Sequence, residues 1–185
     1  MTAVMFEDWG EFFLLAGSAA AVLIGLIFVV VTLMQDRPRS TILAGSKLYM
    51  GPVVLTVSFV LVLSAAALVP HITARQFALV SAACAAWGLA RGLMTIRGIG
   101  ALCGGDTPHW TDAWYYGVIP SLLYLALGIV ASGFWTGQGW ARDGLAVAIT
   151  GLLLLSIRNE WDLVTWLAPK PEGPMPSFEA RPPAD

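Results

Sequence analysis

Charge is what this sequence most lacks. Only 12% of its 185 residues are Asp, Glu, Lys or Arg, against about 25% in an ordinary soluble domain. With 57% hydrophobic residues, a soluble domain of this length could not hide its apolar surface while leaving so little charge outside. The formal net charge is −2 and basic residues form no run, which argues against nucleic acid as a partner.

Histidine and cysteine are equally scarce, two of each. Cys84 lies inside an apolar block and Cys103 in a polar-flanked segment. A free thiol at each is the simpler reading than a disulfide or a ligand. No HExxH, GxSxG or P-loop occurs, and no apolar block carries two carboxylates. His71 and His109 both fall between blocks, so neither can serve a buried nucleophile or a haem held between helices. No catalytic residue, cofactor or metal is assigned. The segment 98–112 holds Cys103, Asp106, His109 and Asp112, donors that can bind a metal, but their spacing matches no zinc signature and a turn explains Asp106 equally well.

What the sequence does have is long apolar runs separated by short polar segments. A bilayer crossing needs roughly 20 such residues. The reading is an all-α, polytopic transmembrane bundle of about five spans, near 12–34, 52–69, 76–96, 113–134 and 141–167. These make one transmembrane domain over 1–168. The Pro-rich, charged segment 169–185 is expected to be a disordered cytoplasmic tail. The opening MTAVMFEDWGE is acidic where a signal peptide would be basic, so the first block is expected to remain as a span.

Each span carries its own expectation. In the first, Gly17, Ala21 and Gly25 form a small-xxx-small ladder that lets helices approach closely. In the second, Pro52 suits a helix start, and Val53, Val57, Val60 and Leu61 read as a lipid-facing surface. In the third, Ala82, Ala83, Ala86 and Ala90 read as a thin packing face. In the fourth, Pro120 is expected to kink the helix. The fifth has only 14 uncharged residues between Asp143 and Arg158. They cover about 21 Å, short of a hydrocarbon core of about 30 Å.

With five spans and the N-terminus outside, Arg37, Arg39, Lys47, Arg91, Arg97, Arg158, Lys170 and Arg181 face the cytoplasm, and only Arg75 and Arg142 face out. That is the bias of the positive-inside rule, and it puts the C-terminus in the cytoplasm. A bacterial inner membrane is the expected location.

The short fifth span singles out its inner end. Arg158 and Asp162 are four apart and share a helix face; Asn159 adds a polar group beside them, and Arg91 ends its own span at the same level. Charges at membrane depth must be paired or line a wet cavity. Arg91, Arg158, Asn159 and Asp162 are therefore the candidate polar vestibule or interhelical network, against the plainer reading of an interfacial belt. Two functions follow. The chain is a homo-oligomeric ion channel or pore ringed by this turn, or an accessory or scaffold subunit of a larger membrane complex. The expected partners are the lipid bilayer and other copies or membrane subunits.

Overall fold

The computed structural model describes residues 5–33, 51–101 and 114–167. Of these, 91% are helical and none is in a strand. Five long helices follow one another: α1 (Gly10–Leu33), α2 (Gly51–Ala67), α3 (Ala74–Ala101), α4 (Ile119–Thr136) and α5 (Ala141–Leu167). A 3₁₀ turn, Glu7–Trp9, leads into α1, and a π-helical turn, Trp114–Val118, leads into α4. Three stretches are long and apolar enough to cross a membrane: Glu7–Thr32, Ala74–Arg97 and Trp114–Thr136. α2 is apolar but has 17 residues, about 25 Å of helix. The expectations for segments 35–49 and 169–185, and for Cys103, Asp106, His109 and Asp112, lie outside the described residues.

Local chemistry sets the helix ends. Thr73 and Gln76 form a capping box before α3: the Gln76 side chain accepts from the Thr73 amide at 3.0 Å, and the Thr73 hydroxyl oxygen accepts from the Gln76 amide at 3.3 Å. α4 stops because Gly137 turns left-handed at φ 74°, where a side chain would be strained. The Gln138 amide then reaches back to the Gly133 carbonyl at 2.8 Å, closing the turn in the Schellman manner. One expectation fails here: α3 does not stop at its glycines but continues through Gly98 and Gly100 to Ala101, although an interior glycine costs about 1 kcal/mol. Pro120 sits in the first turn of the regular helix, and the turn before it widens to a π-turn, the kind of irregularity at which helices bend.

The packing reverses the expected facing of α2, and it leaves most of the small-residue faces of α1 and α3 outside the bundle. α2 is the hub, touching α1, α3 and α5. Val53, Val57 and Val60 are buried, so they line the bundle core and not the lipid; Leu61 alone of that set is partly open. On α3 the buried face is Ser81, Cys84, Ala85 and Gly88, while Ala82, Ala83, Ala86 and Ala90 all point outward. On α1 the buried stripe is Phe13, Ala16, Ala20, Leu23, Ile27 and Val30. Of the small ladder only Gly17 packs inward, where a Cβ would stand 3.2 Å from Ser64 Cβ; Ala21 and Gly25 are exposed.

The two ends of the bundle are closed differently. At the first, Phe6 packs edge-on against Phe13, Phe77 and Phe134, at centroid distances of 5.1, 4.9 and 5.7 Å. Such pairs contribute about 0.5–1.5 kcal/mol each beyond their buried area. In the middle, α3 and α4 approach so closely that a Cβ on Gly88 would fall within the ring of Tyr124, and one on Gly92 against the Ser121 hydroxyl. Gly88→Ala is therefore expected to destabilise the bundle by about 1–3 kcal/mol. Gly25→Ala, with open space around its Cα, should stay within about 0.5 kcal/mol of the parent. Reversible unfolding in mixed micelles separates the two; equal effects would contradict this packing.

Candidate functional site

The site is built where α5 passes the start of α4. α5 presents Leu145, Ala148, Ile149, Leu152, Leu155 and Ser156 to the core, and a Cβ on its Gly151 would stand 2.8 Å from Leu123 of α4. That close approach carries the next turn of α5, Arg158 to Asp162, onto the π-turn of Tyr115 and Tyr116. In an i→i+5 ladder the Tyr115 carbonyl faces residue 120, which is Pro120 and has no N–H to give. The Asn159 amide fills that role, donating to the Tyr115 carbonyl at 3.3 Å. In return the Tyr116 hydroxyl donates to the Asn159 carbonyl at 3.4 Å.

Arg158 joins this clasp from the outside. Its guanidinium lies 3.3 Å from the centroid of the Tyr115 ring, a cation–π contact. It donates to Asn159 Oδ1 at 3.4 Å and pairs with Asp162 at 2.6 Å. The pair is 36% and 39% exposed, so solvent screening keeps its own contribution below about 1 kcal/mol. Asn159, by contrast, is only 4% exposed, and its amide would be left unsatisfied without Tyr115. Three of the four residues singled out from the sequence are thus brought together. Arg91 is half-buried on α3 and makes no side-chain hydrogen bond or ion pair with them among the described residues.

Three features of the interior were not anticipated. Glu160, next to Asn159, is buried, and its Oε1 accepts no hydrogen bond, a costly state for a carboxyl group. Halfway along the bundle the hydroxyls of Thr56 on α2 and Tyr124 on α4 share a hydrogen bond of 2.9 Å. Nearer the Phe6 end, the buried hydroxyls of Ser64 and Ser81 make none. Single hydroxyls inside apolar spans carry no sequence signal of which partner they face. Only the residues of the π-turn had one, since Tyr115 and Tyr116 precede a proline by a helical turn.

Chemically, this arrangement binds helix to helix. Among the described residues no group of three His, Cys, Asp or Glu side chains could hold a metal. Taken with the composition, the helices define an all-helical chain apolar enough for a membrane protein. Compared with protein-family models, curated proteins and solved structures, the chain finds no match.

The clasp separates two substitutions by size. Asn159→Ala orphans the Tyr115 carbonyl and should cost about 1–3 kcal/mol. A double-mutant cycle on Arg158 and Asp162 should give a coupling below about 1 kcal/mol. A coupling several times larger, read from the same unfolding transition, would mean the pair lies deeper in the apolar layer than its exposure indicates.

Proposed function

We propose that this chain is a five-span protein of a bacterial inner membrane, N-terminus outside, acting as an accessory or scaffold subunit of a larger membrane assembly. The observation that carries this reading is the outward direction of its thinnest helix face. Ala21 and Gly25 of α1 are exposed, with nothing within 4 Å of Gly25. Ala82, Ala83, Ala86 and Ala90 of α3 form a second such face. Small residues let another membrane helix approach to backbone contact, and the fold itself uses neither stripe. Leu14, Leu15, Val22, Phe28 and Val29 on α1 are also at least half exposed, so a partner there would meet an apolar surface.

The homo-oligomeric ion channel draws less support. The same small-residue faces would serve packing between copies, but that reading also needs charges free to ring a mouth, and Arg158, Asn159 and Asp162 engage one another and Tyr115. The one buried polar atom of that region without a partner, Glu160 Oε1, is a single acceptor and marks no path. The charged turn is better read as the interhelical network that holds α5 to α4.

A photo-crosslinking residue at Ala21 or Ala86 is expected to capture a different membrane protein in native membranes, while one at buried Phe77 captures none. Crosslinks only to other copies, joined by ion flux from the purified protein in liposomes, would favour the pore. Absence of any crosslink at Ala21 and Ala86 would remove the assembly reading. Topology is tested separately. In a chain with Cys84 and Cys103 replaced by alanine, a cysteine at Gln138 should react with an impermeant maleimide from outside and one at Arg97 should not. The reverse pattern would invert the orientation.

A further inference from the structure

The Phe6 end of the bundle carries a cleft of about 620 Å³, within the usual size of a small-molecule site. It lies between the turn that joins α2 to α3 and the turn that joins α4 to α5. Its polar lining is His71, Thr73, Gln138 and Arg142, and its apolar lining includes Met5, Ile72 and Phe134. We propose that this cleft binds a phosphate-bearing headgroup, with the Arg142 guanidinium, the His71 ring and the Gln138 amide donating to the phosphoryl oxygens.

Four observations converge on that chemistry. First, the lining charge has one sign. Among the described residues Arg142 lines the cleft and no carboxylate does. Second, Arg142 is not spent on the described residues: its one hydrogen bond among them is a long one, 3.5 Å, to the Met5 carbonyl. A guanidinium has five donors in a fork that matches a phosphate.

Third, both turns that shape the cleft are locked, one by the Thr73–Gln76 capping box and the other by the left-handed Gly137. His71 itself is held at φ 61°, the one non-glycine residue with positive φ among the described residues. Backbone held in that region recurs at ligand clamps. Fourth, the cleft opens at the level of Trp135 and Trp140, both exposed, with Arg75 stacked 5.8 Å from the Trp135 ring. Exposed tryptophans of this kind mark the headgroup layer of a bilayer.

The phosphate can come from an anionic phospholipid or from free phosphate in solution. Glu7, Asp8, Glu11 and Asp143 stand at the same end outside the cleft. Their field opposes a doubly charged ion more than a phosphodiester with one charge. The apolar lining formed by Met5, Ile72 and Phe134 also suits the glycerol and first methylenes of a lipid. The site goes beyond the assembly role and holds whether or not the chain has protein partners.

The full-length protein in detergent, titrated with phosphatidylglycerol and observed by native mass spectrometry, is expected to retain bound lipid. Arg142→Gln should lower the apparent affinity about tenfold, the loss expected for one charge-assisted contact. Arg142→Lys should keep part of it. Arg75→Gln, on the same end but outside the cleft, should change nothing. Inorganic phosphate is titrated in parallel by ³¹P line broadening. Lipid binding lost in Arg142→Gln assigns the site to phospholipid; phosphate binding lost in the same variant, without lipid binding, assigns it to the free ion. Arg142 is exposed, so the variant should fold, and an unchanged elution profile and melting temperature verify this. Indifference of both titrations to Arg142→Gln, or an equal loss in Arg75→Gln, overturns the proposal.

Discussion

The missing side chain at Gly88 is the constraint from which much of the bundle follows. Because nothing projects from α3 at that point, the Tyr124 ring of α4 can lie against its backbone. That placement sends the Tyr124 hydroxyl to Thr56 on α2, and so ties three helices at mid-depth. In lipid the hydrophobic effect does not distinguish a core leucine from an outward one, and association rests on close contact and interhelical hydrogen bonds. Gly88 supplies the first and permits the second. α2, the shortest of the five, is thus held by Tyr124 on one side and by the close approach of Gly17 to Ser64 on the other.

The two ends depend on different physics. At one, four phenylalanines from three helices and the leading segment interlock edge to face. At the other, the join is polar, and it exists because Pro120 leaves a carbonyl that the Asn159 amide meets. The proline and the asparagine are 39 residues apart in sequence yet settle one hydrogen-bond account. The salt bridge beside them, the most visible polar contact, is partly exposed, and an exposed pair contributes little.

Helix positions are legible in this sequence; helix facing is not. Blocks of apolar residues broken by Pro, Gly and charge locate the helices to within a few residues, except where α3 continues through Gly98 and Gly100 and where a π-turn over Trp114–Val118 precedes the regular start of α4 at Ile119. Facing fails because lipid and core are both apolar, so Val53, Val57 and Val60 look the same whether they meet a bilayer or a neighbour. Small residues mislead for a related reason. They allow close approach but do not demand it, and the alanines of α3 point outward while Gly88, on the opposite side, makes the contact. The charged turn of α5 stands out because charge is rare. Its partners in the π-turn are marked only by position, a helical turn ahead of Pro120, and nothing in the sequence says which helix would meet the freed carbonyl.

Phe6 has a consequence for how the molecule is made. It precedes α1 to α5, yet two of its ring partners, Phe77 and Phe134, lie 71 and 128 positions later. As the chain emerges from the ribosome, that ring must wait, uncovered, until α4 is in place. That end of the bundle is therefore the last to close, and a chain interrupted before α4 would leave the Phe6 ring without two of its aromatic partners.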